Sequence, residues 1–188
     1  MTFSWFRVIT LTLSCALLSA CSSPLRHAIL APSYSGAQFQ HLPFAMQLQV
    51  NDHRISKFAI KVVDQEPQIY LPDANVPIQV QQAFNSAWQA QGITLSNDAH
   101  IAMTLNIKML NARITETYSQ HQSIAKTEFE VVVRKGKKTF SKVYSGSAEL
   151  NGPLRHEQAK IENQLNHLIE QTLTRIVSDS ELANFLKE

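Results

Sequence analysis

The chain has 188 residues, 44% hydrophobic and 17% charged, a globular composition that fits one domain of ordinary size and excludes a disordered or fibrous chain. Seventeen basic against fifteen acidic side chains give a formal net charge of +2, too small an imbalance to argue for nucleic acid or another acidic polymer as partner. The two cysteines, Cys15 and Cys21, both fall in or beside the N-terminal apolar segment, so neither a disulfide framework nor a thiolate metal site is available to residues 22–188.

Residues 1–20 divide into a short n-region ending at Arg7, an apolar run over 8–18, and Ser19-Ala20 before Cys21. That run is too short to cross a bilayer as a helix, which takes about twenty residues, so the segment reads as a cleaved signal peptide. Leu18-Ser19-Ala20-Cys21 matches a bacterial lipobox: a branched residue, two small ones, and the cysteine that becomes residue one. The thiol is what the chemistry needs. Its sulfur takes a diacylglycerol, cleavage follows before it, and the freed amine takes a further acyl chain such as palmitate, so several chains hold where one binds only marginally. Cys15 fits less well, because Thr12 stands where the branched residue belongs and cleavage there truncates the apolar run. Resemblance to lipoprotein sorting in Gram-negative bacteria implies that Ser22 after the cysteine permits transfer to the outer membrane, where Asp favours retention at the inner one, so the expected location is the periplasmic side of the outer membrane, a single-membrane host being the alternative. Residues 21–43, with Pro24, Pro32, Gly36 and Pro43 and no apolar period, read as the lipidated N-terminus and a tether reaching roughly 70 Å if extended.

Residues 44–188 read as a single domain. Phe44, Met46, Leu48 and Val50 alternate with Ala45, Gln47 and Gln49, the period of a half-buried strand, and Asn51-Asp52 supply a turn. Shorter strands are expected over 58–63 and 69–71. A helix is expected over 73–91, with Asn75 as cap, Pro77 in the first turn, Gly92 at the end, and Val76, Val80, Ala83, Phe84, Ala87 and Trp88 on one face as core. The clearest strand runs over 101–109, and at Met109-Leu110 its phase slips to Leu110, Ala112 and Ile114, the signature of a bulge or bend. Strands over 123–134 and 138–150 form a hairpin turned at Lys135-Gly136-Lys137. Next comes a long amphipathic helix over 154–177, and Ser178 with Glu181 has the spacing of a capping box opening a last short helix. The order implies an α+β two-layer sandwich, an antiparallel twisted sheet with two main helices on one face and a short C-terminal helix.

Chemistry is sparse along this chain. None of the seven histidines pairs at the i, i+4 spacing of a helical zinc site, and Ser145-Gly146-Ser147 and Asn151-Gly152-Pro153 lack the lysine and further glycines of a phosphate loop. No catalytic residue, metal ligand or cofactor site is therefore expected. One charged cluster stands out, Arg134, Lys135, Lys137, Lys138 and Lys142 around the hairpin tip. It reads either as a contact for anionic lipid or lipopolysaccharide phosphates or, as the favoured alternative, as a solvated turn whose lysines discourage edge pairing, with Glu128 and Glu130 tempering the field. A second candidate surface is the polar stretch Thr115, Thr117, Tyr118, Ser119 and Gln120.

The whole arrangement, from the lipobox through the strand over 101–114 to the terminal Ser178-Asp179-Ser180-Glu181-Leu182-Ala183-Asn184-Phe185-Leu186-Lys187, resembles the YajG-type lipoprotein family over nearly all of the processed chain. In element order it is similar also to other periplasmic helix-on-sheet lipoproteins, the LptE and ABC-transport auxiliary types. The resemblance implies an outer-membrane-anchored periplasmic domain with no established enzymatic activity, and carries over no functional residue beyond Cys21 as the lipid attachment site. The expected function is a non-enzymatic accessory or scaffolding lipoprotein, bound to the membrane through its N-terminus and to an envelope protein or lipid, without nucleic acid. A lipid or lipopolysaccharide transport accessory is the alternative, and an enzyme acting on cell wall is a distant third.

Overall fold

The structure, a computed structural model, describes residues 26–64 and 67–188. The expected signal, Cys21 and Ser22 lie outside the described residues. The elements in chain order are β1 (Arg26–Ala28), β2 (Ala45–Asp52), β3 (Ile60–Val62), β4 (Gln68–Pro72), α1 (Val76–Ala90), β5 (Thr94–Leu95), β6 (Ile101–Glu116), β7 (Gln120–Lys135), β8 (Lys138–Pro153), α2 (Gln158–Val177) and α3 (Ser180–Lys187).

Three 16-residue strands, β6, β7 and β8, form an antiparallel meander that is the spine of the sheet. The alternation of apolar and polar residues along β6 puts Met103, Leu105, Ile107, Leu110, Ala112 and Ile114 on the helix-covered face. The slip in that alternation is a bulge: the register with β7 shifts between Ile107 and Met109, so Lys108 has no partner and both it and Met109 face solvent. At the other end of β7, Gly136 takes a φ of 58° at the hairpin turn, a conformation that glycine adopts without steric cost.

The far edge of β6 is shared end to end by two short strands. β2 pairs with residues 102–107 and β3 with residues 112–114, and both run parallel to it. β1 with β4 and β2 with β5 are parallel as well, whereas β3 with β4 is antiparallel. The sheet is thus mixed, not the antiparallel sheet expected from the sequence. The connection decides this: between β2 and β6 the chain passes through α1, and a helical crossover returns it to the same end of the sheet, so the strands align in parallel. Alternation specifies which face of a strand is buried and is silent on the direction of its neighbour.

The helices cover one face of the sheet. In α1 the Asn75 side chain accepts from the Ile78 amide at 3.3 Å, Pro77 sits in the first turn, and Val76, Val80, Ala83, Phe84, Ala87 and Trp88 are buried. α2 buries Ile161, Leu165, Leu168, Ile169, Leu173, Ile176 and Val177 against β6, β7 and β8. The cap of α3 is one residue later than expected, since Asp179, not Ser178, accepts from the Glu181 and Leu182 amides, at 2.8 and 3.4 Å. Ser178 closes α2 instead.

Residues 26–43, expected as part of a tether, are bound to the domain along most of their length. β1 adds to β4, and Ala28, Leu30 and Leu42 are buried. α2 holds the passing backbone with successive side chains: Glu162 accepts from the Ile29 amide at 2.9 Å, Asn166 from Ala31 at 3.0 Å and Glu170 from Ser35 at 3.0 Å. Further on, the buried Gln91 accepts from the Phe39 and Gln40 amides at 2.7 and 3.1 Å. An extended segment without apolar period can be ordered when side chains of a helix satisfy its amides one by one.

β8 approaches α2 closely at Gly146. A Cβ there would stand 2.6 Å from Thr127 Oγ1 and 2.9 Å from Thr172 Oγ1, and those two hydroxyls share a buried hydrogen bond of 2.8 Å. Gly146→Ala is expected to cost about 1–3 kcal/mol by overpacking, visible as a lower urea midpoint with an unchanged slope.

Candidate functional site

The length of the β6–β8 meander gives the domain two ends, about 50 Å apart at the usual strand rise. Each end gathers one of the surfaces picked out in the sequence.

At one end lies the β7–β8 hairpin tip with its basic cluster. Three of the five cations are engaged by α3: Lys135 Nζ donates to the Leu186 carbonyl at 2.9 Å, Lys138 pairs with Glu188 at 2.8 Å, and Lys142 bridges Asp179 at 2.7 Å and Glu181 at 2.8 Å. Arg134 and Lys137 make no ion pair among the described residues. The adjoining Glu130 is turned to Lys108, at 3.1 Å, and to Asn106, at 3.0 Å, on the open face of the sheet. Asn106 in turn accepts from Asn51 at 3.2 Å, so a polar ladder crosses three strands. The arrangement locks the last helix onto the sheet. Tyr144 donates to Asp179 at 2.8 Å, and its pKa is raised, first by burial and then by that carboxylate. Burial acts to raise the Asp179 pKa, but the Lys142 ammonium, the Tyr144 hydroxyl and the two capping amides outweigh it and hold the carboxyl below its usual range. A depressed carboxylate stabilises the fold above its unfolded pKa and ceases to do so as pH falls through the folded one. Acid is therefore expected to free α3 from the sheet below about pH 4, read as loss of amide protection at Leu182 and Leu186, and Asp179→Asn is expected to flatten that dependence.

At the other end lie the β6–β7 turn and the entry of the chain. Arg26 opens β1 here: its guanidinium donates to Tyr70 Oη at 3.1 Å and to Gln68, and stacks on the Tyr70 ring. Tyr70 Oη lies 3.3 Å from His156 Nε2, and the opposite ring nitrogen of His156 meets Glu116 Oε1 at 2.6 Å. The Glu116 carboxyl is held below its usual range, since the His156 contacts overcome the opposing effect of burial. A carboxylate, an imidazole and a phenol thus stand in line, with Tyr70 buried at 2% exposure and its hydroxyl already engaged by Arg26, Gln68 and His156. The chain of contacts fastens β4, β6 and the start of α2 to one another. Among the described residues no three His, Cys, Asp or Glu side chains gather as metal ligands would.

Beside this clasp, the polar stretch of the sequence forms the wall of an open cleft of about 710 Å³, lined by Thr115, Thr117, Ser119 and Gln120 from the turn and by Asn151 and Gly152 from β8. Tyr118 at the turn is 92% exposed. Leu154 is 66% exposed at a φ of 60°, its amide bound to the Ser119 carbonyl at 2.9 Å and its carbonyl to His121 Nδ1 at 3.0 Å. Sequence reasoning placed Leu154 at the start of the long helix and saw no role for His121, because the periodicity of α2 does not show where its first turn begins.

The fold and its two ends define the class as a mixed sheet covered on one face by helices. A family model described as an uncharacterized lipoprotein, Lipoprotein_16, matches residues 38–187, and the chain belongs to this family, the YajG-type lipoproteins. No curated protein matches the chain. Among solved structures, the protein XCC0632 from Xanthomonas campestris, assigned to DUF330, is 12% identical and superposes with a TM-score of 0.55 over 87% of this chain and 94% of its own, a likeness of fold. An uncharacterized protein, also 12% identical, superposes with a TM-score of 0.48 over 78% of this chain and 97% of its own. No helix among the described residues is long and apolar enough to cross a membrane.

Proposed function

We propose that the protein is a non-enzymatic accessory lipoprotein, attached through acyl chains on Cys21 to the outer membrane, that holds its domain on the periplasmic side for an envelope partner. The observation that carries this reading is the join between anchor and domain. The lipobox cysteine stands only five residues before Arg26, where β1 already pairs with β4, so the domain follows the anchor almost at once. At roughly 3.3–3.6 Å per residue the link spans at most about 18 Å. Such a protein works where its anchor puts it.

Cys21→Ser is expected to abolish incorporation of labelled palmitate and to move the protein from the membrane fraction to the soluble periplasmic fraction. Unchanged sedimentation with membranes would overturn the anchor. For the partner, in-envelope crosslinking of the acylated protein should yield a discrete adduct, whereas turnover of purified envelope material by the domain would replace binding with catalysis. The lipid-transport alternative rests on the hairpin tip, and with Lys135, Lys138 and Lys142 bound to α3 it has less free charge to stand on.

A further inference from the structure

We infer that the β6–β7 turn end is a docking surface for the bilayer that holds the Cys21 acyl chains, with Tyr118 and Leu154 seated at the lipid interface and the β7–β8 hairpin tip held away from it. The inference rests on acylation of Cys21. Its first support is direction. β1 runs parallel to β4, which is antiparallel to β3, which is parallel to β6, so β1 starts from the side of the Glu116 end, with Arg26 level with Ala112. An anchor within about 18 Å of Arg26 brings that end to the membrane, and the hairpin tip, about 50 Å along the strands, stands far beyond the reach of the headgroups.

The second support is what that end exposes. Tyr118 is an aromatic with a polar tip, the side chain that favours the interface between hydrocarbon and water. Leu154 is apolar, exposed, and held at a φ of 60°, a conformation that costs a leucine free energy. Its amide donates to the Ser119 carbonyl and its carbonyl meets the His121 imidazole, which fixes it beside the turn that carries Tyr118. Arg155 comes next on the exposed side and supplies a cation for phosphate headgroups. An exposed leucine held in an unfavourable conformation next to an exposed tyrosine, at the end where a lipid anchor enters, fits a bilayer better than bulk water.

The test uses the acylated protein in vesicles of phosphatidylethanolamine and phosphatidylglycerol containing headgroup-quencher lipid. The processed chain has no free thiol besides an introduced one, so Tyr118→Cys, Leu154→Cys and Lys137→Cys can each carry one environment-sensitive fluorophore. Loss of most of the emission at 118 and 154, with none at 137, is the expected result. Equal quenching at 137, or no quenching at 118 and 154 in protein whose mass shows acylated Cys21, overturns the docking and leaves the anchor standing. Probes shielded in native envelopes but not in vesicles would also overturn it, in favour of a protein partner on this end. Protein that carries no acyl mass removes the anchor and the docking together. As a check on folding, Leu154→Gly is expected to keep the wild-type melting curve, because glycine tolerates the positive φ, while weakening the quenching at 118.

Discussion

Asp52→Ala is expected to destabilise the domain by about 3 kcal/mol, because it strands a buried guanidinium. Arg54, with a side chain 4% exposed, grips Asp52 in a fork, Nε to Oδ1 at 2.9 Å and Nη2 to Oδ2 at 3.0 Å, and its own amide donates to Oδ1 at 3.1 Å. Lys57 adds a third cationic contact at 3.1 Å. Breaking a buried pair from one side costs about 3–5 kcal/mol, and the lower end applies because Asp52 keeps partial contact with water. Replacing both partners, as in Asp52→Ala with Arg54→Met, is expected to recover most of the loss, since an apolar side chain of that length needs no counter-charge. Urea titration of the two single variants and the double variant measures the coupling. The same pair sets an acid limit. Burial alone would raise the Asp52 pKa, but the Arg54 and Lys57 contacts lower it to about 2 from an ordinary 3.8. The stability it contributes is complete above the unfolded value and disappears as pH falls between those two values. An acid melting profile of Asp52→Ala with the same slope as wild type in that window would refute the assignment.

Trp88→Ala is expected to cost about 3–5 kcal/mol, the range for removing a large aromatic from a packed core. Trp88 is 1% exposed and meets Phe84 edge to face, with ring centroids 5.8 Å apart. Its indole N–H finds no acceptor among the described residues. Trp88→Phe removes that unpaired donor as well as volume, so it is expected to cost clearly less than alanine does. Residues 21–188 hold no other tryptophan, and Trp5 lies in the segment expected to be cleaved, so the fluorescence of the processed chain would report this site alone. A phenylalanine variant as damaged as the alanine variant would mean that the indole nitrogen has a partner after all.

Much of the fold is legible in periodicity, because alternation and helical stripes record which face of each element leaves water. The hairpin, its glycine turn, the bulge in β6 and the α1 cap all arise from residues within a few positions of one another. The candidate surfaces are less legible. The five cations of the hairpin tip are clustered in sequence, but three of them find partners 37 to 51 residues later, in α3 and its two caps. Ile29 and Glu162, which fasten the expected tether, are 133 residues apart, and a carboxylate at helical spacing gives no sign of such a contact. Leu154 and Tyr118 are visible in the sequence as residues but not as neighbours.

Local sequence suffices for the α+β class, for the faces that form the core, and for the pattern on which a signal and a lipobox cysteine are expected. These properties are written in zone lengths, motif and period. The parallel pairing of β2 and β3 with β6, the attachment of residues 26–43, and above all the end of the meander at which the chain enters emerge only on folding. Strand direction and chain entry depend on how distant segments close upon one another, and a period of two carries no information about the partner it meets.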